Sequence, residues 1–331
     1  MKLRVGIVGL GSVWETRHRP ALRALSDRLE VRAVCDPVGH RAALAAQELG
    51  AVAVDGVRDL AHREDVDALV LLSTEWYGSL PIIAACEATK AIYCAATLHL
   101  DPEEARQVKR RVEQAGIAFV AELPCRQAPA TLRLKELIAT HLGPPRLLFC
   151  HRRHPAPDLA ATDDGTSMRR LVEVVDWCRY VVGQEPTSVV GVAHNDVNGA
   201  SGDYQMMSLD FSTQSPGSGA VAQISCGQYI PSAWQEAIGF RIPAAMQVAC
   251  ERGVAFIDLP ATLIWFDAAG RHMESLEHER PVGEQLLLSF YRSVNSLVRD
   301  TSSLEDAYHA LHIALCARQS HQEGRRIAMS G

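Results

Sequence analysis

A turn carrying two glycines constrains the start of this chain more narrowly than any later segment. Residues 3–8, LRVGIV, read as a short buried strand, and Gly9-Leu10-Gly11-Ser12-Val13-Trp14 follows directly, ahead of a helical pattern. The first glycine permits a tight strand-to-helix turn, and the second lets backbone approach a ligand with no Cβ in the way. The N–H groups and positive potential at the start of a helix favour a pyrophosphate there. A second apolar run, residues 31–35, ends on Asp36, where a carboxylate can take ribose hydroxyls and would repel a 2′-phosphate. Strand, turn, helix, strand and acid in that order predict dinucleotide binding, NAD rather than NADP, over a bare structural turn. One departure is visible: Trp14 replaces the third glycine, so helix and strand cannot pack there in the usual close way.

The alternation continues to about residue 120. Residues 67–72 read as a buried parallel strand with Ser73-Thr74-Glu75 at its carboxyl end, followed by a helix over 79–88. A strand over 91–94, a helix over 102–115 with Pro102 at its start and Gly116 past its end, and a strand over 117–121 complete the series. Such βα alternation predicts a doubly wound parallel sheet, with its ligand at the carboxyl ends of the strands, over residues 1–123. After Leu123-Pro124 the pattern changes. A helix over 128–141 leads into strands at 146–151, 187–194, 204–211, 220–226, 245–249, 254–258 and 263–266, with an amphipathic helix over 166–182 among them. Two late helices, 282–299 and 304–323, close the chain. Residues 124–331 therefore read as an α+β domain with a large, mainly antiparallel sheet. That sheet has more apolar strand than the helices can cover, which predicts a homodimer or homotetramer formed through it.

Bulk composition narrows the partners. A chain of 331 residues has room for two cores, and a net charge of −6 with mixed signs argues against nucleic acid. The nine cysteines form no CxxC pair and no Cys/His set has zinc spacing, so no metal is expected and reduced core thiols in a cytoplasmic protein are. No apolar run approaches a membrane span, and the opening apolar stretch is too short for a signal peptide. A small molecule is the expected partner.

The order of these segments resembles the Gfo/Idh/MocA oxidoreductases, the glucose–fructose oxidoreductase and inositol dehydrogenase family. The resemblance rests on GIVGLGSVWETRHRPAL, on Val34-Cys35-Asp36-Pro37, on Arg126-Gln127-Ala128-Pro129-Ala130 and on Leu142-Gly143. It continues through Asp176-Trp177-Cys178-Arg179-Tyr180-Val181-Val182-Gly183 to the tail ending Glu323-Gly324-Arg325-Arg326. It implies NAD(P)-dependent oxidation or reduction of a sugar, cyclitol or related polyol, with Gly9, Gly11, Ser12, Val13, Trp14, Asp36, Ser73, Thr74 and Glu75 around the cofactor. Arg126, Asp176 and Tyr229 would face the substrate.

The departures bear on chemistry. Catalytic relatives carry Glu-Lys-Pro after the strand that ends here at Cys94, whereas this chain has Ala95-Ala96-Thr97. Relatives also carry Asp-x-Gly-x-His-x-x-Asp on the helix of the second domain. Here Asp176 keeps the last acid, but Arg169, Leu171 and Glu173 stand at the Asp, Gly and His positions, and Ser79 replaces a histidine often found after the third strand. Removing a hydride from an alcohol carbon requires loss of the hydroxyl proton, and a positioned base contributes about 10²–10⁴ in rate. Glu173 is the first candidate for that base; its alternative role is a helical ion pair with Arg169 or Arg170. His99 follows the altered loop and is the second candidate, against a solvated loop histidine. His151, Arg152, Arg153 and His154 end one strand, and alternation sends two of the four to one side, where they form either an anion site or a solvated strand end. Trp76 and Tyr77 either fill cofactor space or stack on it. The two functions in view are a dehydrogenase with a displaced acid–base group and a dinucleotide-binding sensor that has lost its chemistry.

Overall fold

The computed structural model describes all residues except 1, 75, 96–101, 156–165, 195–203, 214, 216–217, 231–233, 235, 237–244, 297–301 and 330–331. The chain divides into two compact units, one of Met1–Pro124 with Arg280–His309, the other of Cys125–Glu279 with Ala310–Gly331. Among the described residues no helix is long and apolar enough to cross a membrane.

The first unit is a six-stranded parallel sheet built from β1 (Leu3–Val8), β2 (Leu29–Cys35), β3 (Val52–Ala53), β4 (Ala68–Leu71), β5 (Ala91–Cys94) and β6 (Phe119–Ala121). Their order, β3-β2-β1-β4-β5-β6, places the switch point between β1 and β4. Continuous burial along β4 and β5, and along β1 apart from half-buried Arg4, explains their apolar runs, since helices cover both faces of such a sheet. The helix after the glycine turn, α1 (Arg19–Ala24), is entered through a π-helical turn, Trp14–His18. This wider turn accommodates the Trp14 side chain, which is buried in the core with Val5, Ile7 and Leu22. The remaining helices are α2 (Gly39–Leu49), α3 (Val57–Ala61), α4 (Leu80–Glu87) and α5 (Pro102–Ala115).

The second unit carries α6 (Pro129–Leu137), β7 (Pro145–Pro155), α7 (Thr166–Val182), β8 (Ser188–His194), β9 (Tyr204–Asp210) and β10 (Val221–Ile230). The strands β11 (Met246–Cys250), β12 (Val254–Asp258), β13 (Thr262–Asp267) and β14 (Gly270–Ser275) extend the sheet. Two late helices come next, α8 (Val282–Asn295) and α9 (Ser302–Glu323), and a short β15 (Ile327–Ala328) pairs with β8. The nine-stranded order is β14-β13-β12-β11-β7-β10-β9-β8-β15, antiparallel except for the central β7–β10 pair. β14 is not anticipated from the sequence, because Gly270-Arg271-His272-Met273-Glu274-Ser275 is polar and exposed for most of its length, as an edge strand tends to be.

The late helices correct one expectation. Both are expected from the sequence beside the second sheet, but α8 lies in the first unit, where Leu286, Leu287, Leu288 and Phe290 join its core and Phe290 meets Tyr93 at 5.6 Å between ring centroids. In the second unit α7 packs on β7 and β10, and the part of α9 around Ala317 lies so close to β8 that a Cβ on Gly191 would meet the Ala317 carbonyl oxygen at 2.1 Å. The other sheet face keeps Leu147, Phe149, Val190, Val192, Met206, Phe266 and Met273 exposed.

Candidate functional site

The glycine turn is shaped by its own neighbours. Gly9 has φ +70°, and a Cβ there would lie 2.6 Å from the Ser73 carbonyl oxygen, while one on Gly11 would lie 2.4 Å from that of Leu72. The carboxyl end of β4 therefore demands glycine at both places. Asp36 ties the end of β2 to this turn. Its Oδ2 accepts the Leu10 N–H at 2.8 Å, its Oδ1 accepts the Val38 N–H at 2.9 Å, and its side chain is 2% exposed. Each carboxylate oxygen retains a second lone pair for another donor. Arg41 donates to the Leu10 carbonyl and lies 4.0 Å from Asp36. A turn with no Cβ above it and an acid tied to its first N–H fit a dinucleotide.

The other residues expected around this turn are distributed unevenly. Ser12 is exposed, Val13, Ser73 and Thr74 are half-buried, and Trp14 points into the core, its backbone N–H bonded to the Gly11 carbonyl at 3.0 Å. Trp76 is 80% exposed, whereas the Tyr77 hydroxyl reaches Cys35 Sγ at 3.6 Å. Glu75 and His99, with Ala96 and Thr97, lie outside the described residues.

Within the same unit lies a buried ionic cluster that sequence patterning does not single out. Glu122, just past β6, accepts from the Tyr93 hydroxyl at 2.6 Å, meets His18 Nε2 at 2.8 Å and pairs with Arg17. Burial would push its carboxyl up, but the hydrogen bond and charge of His18, with Arg17 and Tyr93, outweigh that and hold it at about 2. His18 Nδ1 is buried with no hydrogen-bond partner among the described residues. The one available signal is an acid closing the apolar stretch Phe119-Val120-Ala121, where only a paired carboxylate is tolerated.

In the second unit Arg126 grips Asp176 on α7 with two hydrogen bonds, of 2.7 and 2.5 Å. Asp176 is buried and also receives Arg179 at 3.4 Å, and Arg126 lies over the Tyr180 ring at 5.1 Å. Lys135 donates to the Tyr180 and Val181 carbonyls at the end of α7. One turn earlier, Glu173 has a side chain 22% exposed and a long ion pair, 3.9 Å, to Arg169. The thiol of Cys125 is pushed up to about 12 by burial, and the charge of Glu173 adds to the rise.

Alternation separates the basic strand end. Leu148 and Cys150 are buried, and Cys150 Sγ lies 3.6 Å from Cys178 Sγ on α7, so Arg152 joins them on the α7 side. There it donates to Cys125 Sγ at 3.7 Å. His151 and Arg153 take the opposite face, where His151 Nδ1 meets Ser225 Oγ at 2.5 Å and Arg153 donates to His151 Nε2 at 2.8 Å. His154 and Tyr229 lie in β7 and β10, and their side chains are outside the described set.

Residues 3–122 match the family model described as an oxidoreductase family with an NAD-binding Rossmann fold. Inositol 2-dehydrogenase 3 of Saccharopolyspora erythraea is 27% identical over 57% of this chain and 56% of that protein, so this match spans about half of each. Myo-inositol 2-dehydrogenase of Thermotoga maritima is 24% identical over 99% of this chain and 98% of its own. The crystal structure of aldose-aldose oxidoreductase from Caulobacter crescentus superposes with a TM-score of 0.83 at 15% identity, covering 99% of this chain and 100% of that one, a likeness of fold.

The buried Glu122 cluster yields a pH-dependence. Because its folded-state value is depressed from 4.5 to about 2, its contribution is complete above pH 4.5 and lost as pH falls toward 2. Glu122→Gln is expected to lower stability at neutral pH by about 3 kcal/mol and to flatten the acid limb of the stability curve. Denaturant titrations of both proteins across that range check this; parallel acid limbs would contradict it.

Proposed function

We propose that the chain, whose residues 3–122 match an oxidoreductase family with an NAD-binding Rossmann fold, is a Gfo/Idh/MocA-type oxidoreductase that transfers a hydride between NAD(H) and a carbinol of a sugar, cyclitol or related polyol. The reading rests on the turn at Gly9 and Gly11 with Asp36 locked to its first N–H. Relatives named as inositol dehydrogenases, one of them matched along nearly the whole chain, support the substrate class. Their names also favour an enzyme over a binding protein that has lost its chemistry.

Gly9, Gly11, Ser12 and Val13 would cradle the pyrophosphate, Asp36 would take the ribose hydroxyls, and Ser73, Thr74 and Glu75 would line the carboxyl end of β4. Trp14 would act from beneath, its indole fixing the π-helical turn. When bound, the nicotinamide supplies the hydride acceptor. Glu173 then takes the proton from the substrate hydroxyl as its O–H bond breaks and a carbonyl forms. Arg126 and Asp176 satisfy each other in a bidentate pair, so their part is to hold α7, and with it Glu173, in place. Tyr229 and His99 are further candidates for contact with the substrate. None of the nine cysteines is joined in a disulfide, which fits the expectation of a cytoplasmic chain.

Three outcomes are expected. In fluorescence titrations NADH binds more tightly than NADPH, because the Asp36 carboxylate repels a 2′-phosphate, and Asp36→Ser narrows the difference; equal affinities for the unaltered protein would remove Asp36 from the ribose. With a polyol substrate, Glu173→Gln lowers kcat by about 10²–10⁴ while NADH affinity stays within a few-fold, since a base acts on the proton and not on the cofactor. An intact rate would exclude Glu173 as the base. Finally, the exposed apolar sheet face pairs with a second copy, so light scattering reports about twice 36.1 kDa or a higher even multiple, and a clean monomer would contradict that pairing.

A further inference from the structure

Among the described residues, the side of the second sheet that faces α7 carries more positive charge than the carboxylates around it neutralise. Arg152 of β7 stands opposite Cys226 of β10 in register, on the face turned toward α7, and reaches Cys125 Sγ at 3.7 Å. Arg169 and Arg170 start the first described turn of α7 side chains, both half-buried, with Glu173 one turn on. Within this group Arg169 meets Glu173 in a long ion pair of 3.9 Å, and Arg169 Nε is buried with no hydrogen-bond partner among the described residues. Arg170 has no carboxylate within 4 Å among the described residues, and burial is the main cost to its charge, with Arg169 and Arg152 adding to that cost and Cys226 and Glu173 offsetting part of it. The neighbouring acids do not relieve this. Asp176 is taken by Arg126 and Arg179, and Glu185 by Arg179. Among the described residues, three guanidinium groups thus surround one carboxylate, Glu173, which is the proposed base.

We propose that Arg170 and Arg152 bind an anionic group of the substrate, so that the molecule oxidised or reduced beside Glu173 is an anionic polyol, a sugar acid or a sugar phosphate, and not a neutral one. The inference rests on the oxidoreductase reading for the chemistry, but the anion site itself stands on the arrangement of the arginines. A guanidinium offers paired N–H donors to a carboxylate or phosphate, and partial exclusion of water strengthens such bonds. Filling the site with an anion relieves the mutual repulsion of Arg152, Arg169 and Arg170. It also keeps the substrate from being repelled by Glu173.

The test compares D-gluconate, D-glucuronate and a hexose phosphate with sorbitol, glucose and myo-inositol. Turnover is measured with NAD(H), and equilibrium binding of each compound by calorimetry in the presence of NADH. An anionic compound is expected to exceed its neutral counterpart by about tenfold to a hundredfold in kcat/KM and in affinity, in line with one or two charge-assisted hydrogen bonds. The preference should shrink as salt is raised. Whether acid or phosphate leads identifies which anion the site was built for. Arg170→Gln should collapse the ratio of anionic to neutral binding toward one, Arg170→Lys should keep most of it, and Arg152→Gln serves as a second probe should the first variant melt early. Binding of an acid without turnover would uphold the anion site and count against the oxidoreductase reading. Turnover of neutral polyols at rates equal to the acids, or a preference untouched by Arg170→Gln and Arg152→Gln, would overturn the anion site and leave the oxidoreductase reading standing. Failure of every compound to bind would overturn it as well.

Discussion

The bidentate pair between Arg126 and Asp176 sets the geometry on which the rest of the second unit depends. Asp176 is almost fully buried, and a carboxylate in that position is tolerable only because two guanidinium groups, Arg126 and Arg179, hold it. The pair links the segment before α6 to the middle of α7 and, with Lys135 on the last carbonyls, fixes the rotation of that helix about its axis. Helical spacing then places the remaining charges of α7. Glu173 lies three residues before Asp176 and Arg169 four before Glu173, so both share the flank that Asp176 begins. Loss of the pair would leave a buried charge unpaired and release that flank, so an effect on chemistry can arise from residues whose lone pairs are already satisfied.

Much of this architecture is legible in the sequence, because the first unit is a chain of local signals. Gly9 and Gly11 are required by the close approach of Leu72 and Ser73, so the motif marks the β1–β4 junction before any ligand arrives. Trp14 reads as an obstacle to close packing, and the molecule meets it with a π-helical turn and a buried indole, a solution that periodicity does not announce. The position of α8 is illegible for a related reason. Its amphipathic pattern says that Leu286, Leu287 and Phe290 must be buried, but not in which core, and that core is the first unit's.

Pairings distant in sequence are the other blind spot. Arg17 and His18 follow closely on the glycine turn, yet both bond Glu122, more than a hundred residues away. The basic run His151–His154 shows the opposite case, in which strand alternation already contained the answer. Once Cys150 is known to touch Cys178 on α7, Arg152 must share its side and His151 and Arg153 must leave it. A strand that reads as one cationic patch is therefore two half-patches with different neighbours.

The same alternation bears on how charge is arranged around Glu173, the proposed base. A histidine that gives up a proton changes from cation to neutral, whereas Glu173 changes from neutral to anion, so its surroundings must favour the opposite sign. Arg169, standing where relatives carry an aspartate, reverses the sign of that position, and with Arg152 and Arg170 it puts positive charge on the second unit's own helix and strand. Set against the family resemblance, and with Glu173 proposed as the base, the exchanges at Glu173 and Arg169 make one inversion: an acid at the base's position and a cation at the acid's. A site inverted in this way is electrostatically complete only when the bound molecule brings negative charge of its own.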